Sequence, residues 1–143
     1  MARDYSNFVE AQKTTFEAAR RELLAGEKRG HWIWWIFPQL ASLGRSQTAK
    51  FYGMGSLEEA RVYMLHPVLG PRLLELTRIV LTHSDKSPRE IFGAPDDLKF
   101  RSSMTLFALA APEHAEFRKA LEVFYGSPDP RTLEIIGMAW PDP

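Results

Sequence analysis

The sequence of 143 residues contains no cysteine, which excludes a disulfide framework, thiol catalysis and any cysteine-ligated metal site. It has no excess charge of either sign, because 18 Lys and Arg residues balance 18 Asp and Glu residues. Broad electrostatic attraction to nucleic acid or to an anionic membrane is therefore not expected. We expect neither a signal peptide nor a membrane span, because the first residues lack an apolar stretch and no apolar run approaches the ~20 residues that cross a bilayer. We expect a cytoplasmic protein with a single domain over residues 1–143.

Helix start and stop signals follow one another along most of the chain. Apolar residues at helical spacing run from Phe8 to Leu23 and predict one or two helices that end near Gly26. Further helices are predicted from 57 to Leu65, from Pro71 to near His83, between Ser87 and Gly93, from Pro95-Asp96 to Pro112, from Phe117 to Gly126, and from Pro130 to Ile136. Because strict apolar and polar alternation is absent, the sequence predicts an all-α domain of six to eight short helices.

Three of these helix starts have a specific capping signature. Ser56-Leu-Glu-Glu59 and Ser87-Pro-Arg-Glu90 are capping boxes, in which serine and glutamate satisfy each other's free backbone donors. Asp129 precedes a proline and is expected to cap the last helix. The loop from Leu40 to Gly55 has weaker signals, with a short helix over 47–51 left open.

The densest feature is the run His-Trp-Ile-Trp-Trp-Ile-Phe-Pro-Gln over residues 31–39, which holds three of the four tryptophans. Pro38 fits the end of a short helix as well as the exit from an extended segment, so Trp32 to Phe37 is left open between the two. Large aromatic residues are usually core, and a central core segment is the simpler interpretation. The alternative is that one indole face opens onto a cavity together with His31 and Gln39.

Two polar segments supply further candidate residues. Lys99 precedes Ser102 and Ser103 by three and four residues, so a helix would place all three on one face. A desolvated lysine can activate a serine, but the familiar Ser-x-x-Lys order is reversed here. An anion cradle or an ordinary solvated face are the alternatives. In the loop after the aromatic run, Arg45 could hold a carboxylate or a phosphate with two hydrogen bonds, although it matches no phosphate-loop motif.

No metal or other cofactor is expected from the sequence. The four histidines show no pair at a spacing of one or two helical turns and no His-Glu-x-x-His motif. Aromatic and basic residues are both present, but they are not interleaved in one segment as a nucleic-acid stacking surface requires.

Several motifs together resemble the bacterial domain-of-unknown-function 1810 family. They are Gly30 to Gln39, Leu43-Gly-Arg45-Ser46, His66-Pro67-Val-Leu-Gly70 with Arg72, and Asp97-Leu-Lys99-Phe-Arg-Ser-Ser103-Met-Thr105-Leu-Phe107. The resemblance spans essentially the whole chain and implies a small, mostly helical cytoplasmic protein without an established activity. Members sometimes carry the label calpastatin, which fits a disordered repeat protein and does not fit this aromatic chain.

A second, weaker similarity concerns the C-terminal part. Lys119 to Gly126, followed by Leu133-Glu-Ile-Ile136, is similar to the helix and glycine turn of the NADAR family of ADP-ribose-processing N-glycosidases. The other motifs of that family do not align with this chain, so no catalytic residue is carried over. The similarity implies a weaker alternative function, a hydrolase similar to the ADP-ribose-type N-glycosidases.

These observations lead to two hypotheses from different classes. The first is a pocket for a small anionic or aromatic ligand, such as a nucleotide derivative, with His31, Lys99 and Ser103 as candidate acid, base or nucleophile. The second is a non-enzymatic binding or regulatory module that holds a protein partner on an aromatic surface. The ligand-binding residues of the first hypothesis are Trp32 with Trp34 or Trp35, Gln39, Arg45, Lys99, Ser102 and Ser103.

Overall fold

A computed structural model of the protein describes residues 3–142. Its α-helices are α1 (Ser6–Leu24), α2 (Ile33–Ile36), α3 (Gln47–Tyr52), α4 (Leu57–Leu65), α5 (Leu69–Leu81), α6 (Pro88–Phe92), α7 (Asp96–Ala110), α8 (Ala115–Phe124) and α9 (Pro130–Ile136). A 3-10 helix covers Ala41–Leu43, and within the described residues the nearest thing to a sheet is one isolated bridge between Leu40 and Met54. The all-α prediction is confirmed.

The nine α-helices of residues 3–142 exceed the expected six to eight because both open segments are helical. Trp32 to Phe37 contains a single turn, Ile33–Ile36, and not an extended strand. The loop segment folds as α3, whose first turn is capped by Ser46 accepting a hydrogen bond from the backbone of Ala49 at 3.1 Å. Both helices are too short for the apolar pattern to repeat over several turns, so the sequence could not decide between the alternatives.

The helix boundaries follow the capping signals, with two informative differences. Ser87 and Glu90 form the complete capping box. At α4 only Ser56 takes its expected role, because the Glu59 carboxylate accepts hydrogen bonds from the Gly55 backbone at 3.0 Å and from Arg3 at 3.0 Å instead. The second difference lies at α5.

Helix α5 begins at Leu69, two residues before the proline that was expected to start it. His66 explains the earlier start, because its Nδ1 accepts hydrogen bonds from the backbone N–H groups of Val68 and Leu69 at 3.1 and 3.2 Å. An imidazole thus fulfils the role that serine or aspartate usually plays at a helix N-terminus.

Helix α7 is the centre of the hydrophobic core. Phe100 stacks with Phe92 of α6 at 4.4 Å between ring centroids, and it meets Phe37 edge-on at 4.9 Å. About two turns later, Phe107 contacts Tyr63 of α4 at 5.5 Å and Phe117 of α8 at 5.8 Å. Every residue from 102 to 110 is buried, so the second half of α7 packs inside the protein.

The aromatic run is held at both ends. At its start, one carboxylate oxygen of Glu22 accepts hydrogen bonds from the backbone of Arg29 and Gly30 and from the indole of Trp32, at 2.7, 2.8 and 3.0 Å. Desolvation raises the pKa of Glu22, but these hydrogen bonds outweigh it and hold the pKa below its ordinary value. Just beyond the run, the backbone of Met54 donates to Gln39 and accepts from Ala41, both at 2.8 Å.

None of the helices in the described part of the chain combines the length and the apolar character required to cross a bilayer.

Candidate functional site

A cleft of about 300 Å³ opens between the end of the aromatic run and the face of α7 that meets the start of α9. Its volume is at the lower end of the range for small-molecule sites. The apolar part of the wall comes from the half-buried indole of Trp34 and from Leu43, Pro95 and Leu98. This is the point where the aromatic run borders a cavity.

The polar part of the wall brings together residues that are far apart in sequence: Gln39, Lys99, Ser102, Asp129 and Arg131. The hydroxyl of Ser102 lies 3.1 Å from the Leu98 carbonyl and 3.1 Å from the Asp129 carboxylate. Lys99 extends over the indole of Trp34, with its ammonium 4.1 Å from the ring centroid. Arg131 is exposed at the rim. Hydrogen-bond donors, hydrogen-bond acceptors and the aromatic ring of Trp34 therefore line one small cleft.

The charge on Lys99 is only partly neutralised. Asp96 accepts from Lys99 at 3.1 Å and from Lys28 at 2.7 Å, so a single carboxylate serves two ammonium groups. The side chain of Lys28 is 5% exposed, whereas that of Lys99 is 22% exposed and borders the cleft. Because the cluster carries one uncompensated positive charge, the cleft is suited to an anion.

Gln39 is the most informative polar residue of the cleft. It is 7% exposed, and its side-chain amide makes no hydrogen bond to any residue between 3 and 142. Its amide atoms are not among the fully buried side-chain atoms without a partner, so solvent reaches them through the cleft. Its position in the wall means that a molecule in the cleft can supply the missing partner.

Two of the predicted tryptophans face away from the cleft. Trp32 is 2% exposed and donates its indole N–H to Glu22, while Trp35 donates to the hydroxyl of Thr15 at 2.9 Å. Both indoles therefore have internal partners and pack within the protein. Of the three tryptophans in the run, Trp34 borders the cleft.

Three other candidates also lie outside the cleft. His31 and Arg45 are exposed and do not line it, so the proposed acid or base and the proposed anion clamp are not brought together with Lys99. Ser103 is fully buried, and its hydroxyl has no partner among residues 3–142. It lies 100° around α7 from Ser102, which is enough to turn it from the cleft into the core.

The sequence missed Lys28, Asp129 and Arg131 as contributors to this region. Asp129 carried a signal, since it was expected to cap α9, and it does so by accepting from the backbone of Thr132 at 3.1 Å. What the sequence could not reveal is that the same carboxylate contacts Ser102, 27 positions earlier in the chain. Among residues 3–142, no group of three or more His, Asp or Glu side chains is arranged to hold a metal ion.

A larger cavity of about 560 Å³ lies between α8 and residues 140–142. Arg118 donates to the Pro141 carbonyl at 2.7 Å and stacks on Trp140 at 4.8 Å from the ring centroid. Its Nε is buried without a partner in the described chain and is covered, so a molecule in the cavity cannot reach it. The smaller cleft, in which an unpaired amide remains accessible, is the stronger candidate.

The Lys28, Asp96 and Lys99 cluster leads to a prediction about acid stability. Desolvation raises the pKa of Asp96, but its hydrogen bonds and charge interactions with the two lysines outweigh this effect and leave the pKa lowered. A lowered carboxyl pKa stabilises the fold above the ordinary carboxyl range, and this contribution is lost as the pH falls through the folded-state pKa. Asp96→Asn is expected to reduce the free energy of unfolding by about 2 kcal/mol at pH 7.

The measurement is urea denaturation of both proteins between pH 7 and pH 2.5. The difference between wild type and Asp96→Asn should shrink below about pH 4, where the unfolded-state carboxyl becomes protonated. A difference that stays constant over the whole range would contradict the assignment.

The fold and the cleft define a small all-α protein with a tryptophan-walled, polar cleft. A family model for proteins of unknown function, DUF1810, matches residues 2–136, and the chain belongs to that family. This confirms the resemblance carried by the sequence motifs. No curated protein matches the chain.

A solved structure has the same fold. It is the crystal structure of the conserved hypothetical protein Rv1873 from Mycobacterium tuberculosis, at 1.38 Å resolution. The two chains are 47% identical, the TM-score is 0.92, and the alignment covers 95% of this chain and 98% of that one.

Proposed function

We propose that this protein binds a small anionic organic molecule in the cleft between Trp34, Gln39 and Lys99, acting in the reducing cytoplasm that suits a chain without cysteine. The observation that carries the proposal is the amide of Gln39, which has no partner among residues 3–142 and is accessible from the cleft, although the residue as a whole is 7% exposed. An amide can donate to a phosphate or carboxylate oxygen and accept from a hydroxyl group, so a bound molecule of either kind would satisfy it.

The distribution of charge supports an anion as the ligand. Lys99 shares Asp96 with Lys28 and keeps part of its charge available. Arg131 at the rim offsets the Asp129 carboxylate of the same wall, so the net charge of these groups is positive. Charge-assisted hydrogen bonds from such groups are about twice as strong as neutral ones. The apolar wall can cover the uncharged part of the same molecule, as in most small-molecule sites.

The proposal is for binding, because the contacts of Ser102 and Lys99 favour that role over covalent catalysis. The Ser102 hydroxyl interacts with Leu98 and Asp129, and the Lys99 ammonium donates to Asp96. The lysine is therefore engaged by a carboxylate and is not arranged as the base for the serine.

The test uses Gln39→Met, which removes the amide with little change in shape. Since that amide has no partner within the described chain, the variant should be as stable as wild type or slightly more stable. Wild type is screened by thermal shift with millimolar ribose 5-phosphate, AMP, ADP-ribose and citrate. A compound at about ten times its Kd should stabilise wild type by ~1.4 kcal/mol, a rise in Tm of about 4 °C. Gln39→Met should lose most of that rise.

Two further variants complete the design. Gln47→Met changes an exposed glutamine of α3 outside the cleft and should keep the full shift. Lys99→Met should lose the shift, whereas Arg45→Ala should keep it, because Arg45 does not line the cleft. The proposal fails when no compound stabilises wild type, or when Gln39→Met and Lys99→Met bind as well as wild type.

A further inference from the structure

Asp129 is held rigidly in the wall of the cleft by one of its two carboxylate oxygens. Oδ2 lies 3.1 Å from the Ser102 hydroxyl, 3.1 Å from the backbone nitrogen of Thr132 and 2.5 Å from the Thr132 hydroxyl. The backbone of Asp129 also donates to the hydroxyl of Thr105 at 2.9 Å. The orientation of the carboxylate is therefore fixed before any ligand arrives.

The other oxygen, Oδ1, is not used by the protein. It makes no hydrogen bond to any residue between 3 and 142, and it is not fully buried. An ionised carboxylate oxygen can only accept hydrogen bonds. A ligand group that meets Oδ1 must therefore be a donor, such as a hydroxyl, and cannot be a second phosphate or carboxylate oxygen.

The acceptor and the cation line the same cleft. Asp129 and Lys99 both border this volume of about 300 Å³, and Ser102, which contacts Asp129, follows Lys99 by three residues on α7. A volume of this size is at the lower end of the range for small-molecule sites. A ligand that meets both residues must therefore carry its anionic group and its hydrogen-bond donor within one small molecule.

We propose that Asp129 makes the cleft selective for anionic polyols, molecules that carry a hydroxyl group close to a phosphate or carboxylate. The inference rests on the proposed function, since it names the ligand class of the same cleft. A helix cap alone needs one oxygen of the side chain, and Asp129 satisfies α9 with Oδ2. The second oxygen is free to distinguish hydroxylated anions from those that lack a hydroxyl group.

Two probes of equal carbon number separate these classes. Glycerol 3-phosphate carries two hydroxyl groups, and n-propyl phosphate carries none. A hydrogen bond from a neutral donor to a charged acceptor is worth about a tenfold difference in affinity. By calorimetry, wild type is expected to bind glycerol 3-phosphate roughly tenfold more tightly than n-propyl phosphate.

The matched variant is Asp129→Asn. Asparagine caps helices as well as aspartate does, so its carbonyl oxygen can keep the contacts of Oδ2 while an NH₂ donor replaces Oδ1. The roughly tenfold preference should disappear in this variant. Affinity for n-propyl phosphate should stay the same or rise, because a negative charge near the anion is removed. A purely structural role of Asp129 would lower both affinities together.

The possible outcomes distinguish a failure of the polyol inference from a failure of the proposed anion site. When wild type binds both phosphates equally, the polyol inference is overturned and the proposed anion site stands. When wild type binds neither phosphate nor any compound of the wider screen, both are overturned. When Asp129→Asn does not fold, Asp129→Ser takes its place, because serine keeps a capping oxygen and removes the carboxylate, and it should lose the same preference.

Discussion

Replacing Gly70 with alanine is expected to lower the free energy of unfolding by about 3 kcal/mol, although alanine is the better helix former. Gly70 is the second residue of α5, where the helix start packs against the end of α4. A methyl group at this position would lie 2.1 Å from the carbonyl oxygen of Met64 and 2.9 Å from its carbonyl carbon. These are backbone atoms, so relief requires the two helices to separate.

Helix propensity predicts that Gly70→Ala raises the free energy of unfolding, and packing predicts that it lowers it. The larger of the two effects decides the outcome. Propensity alone would stabilise the alanine variant by about 1 kcal/mol. Overpacking typically costs about 1–3 kcal/mol and occasionally more, and a methyl group 2.1 Å from an immobile carbonyl oxygen places Gly70→Ala above that range, at about 4 kcal/mol. The difference between the two effects is a net loss of about 3 kcal/mol. The net loss should appear as a fall in Tm of about 10 °C and a lower urea midpoint without a change in m value.

Gly55→Ala is the matched control. A methyl group there would come within 2.9 Å of Glu59 Oε2, the far end of a flexible side chain that can move. This variant should change the stability by less than about 1 kcal/mol. If Gly70→Ala were as stable as Gly55→Ala, the close approach of α4 and α5 at Met64 would be refuted.

The second large effect is expected at Trp32, where alanine should cost about 4 kcal/mol. The indole is 2% exposed, lies against Phe37 at 6.3 Å between ring centroids, and donates to Glu22. Its removal leaves a cavity in the core and takes one hydrogen bond from the carboxylate that anchors the start of the aromatic run. Both effects lower the free energy of unfolding.

Trp34→Ala provides the comparison within the same run. Its ring is half-buried and borders the cleft, so truncation exposes little new apolar surface and should cost about 1 kcal/mol or less. Urea denaturation of the two variants side by side gives the difference directly. Equal losses would contradict the division of the run into a core indole and a cleft indole.

Most helices could be predicted from the sequence because their ends depend on contacts between residues close in the chain. Ser87 caps α6 through its contact with Glu90, and Asp129 caps α9 through its contact with Thr132. Each contact spans three residues, and such contacts leave a pattern in the chain. The early start of α5 could not be predicted, because its capping acceptor is the imidazole of His66. Histidine is outside the usual set of capping residues.

The candidate site was only partly predictable, and the reason is distance along the chain. Gln39, Lys99 and Ser102 were identified as unusual polar residues near an aromatic run, and the structure places all three in the wall of one cleft. Asp129 and Arg131 reach that wall because α9 packs against α7, and no local pattern encodes this packing. His31 was included because it adjoins Trp32, but neighbouring residues in a chain commonly point in different directions.

The two attachments of the aromatic run have a consequence for hydrogen exchange. Glu22 holds the backbone of Arg29 and Gly30 at one end, and Met54 pairs with Gln39 and Ala41 at the other. A segment secured at both ends, with its middle in the core, cannot fray from either side. Its amide protons should therefore exchange together, in one cooperative opening whose free energy approaches that of global unfolding. The cleft is built on that slowly opening unit, so its wall keeps its shape between encounters with a ligand.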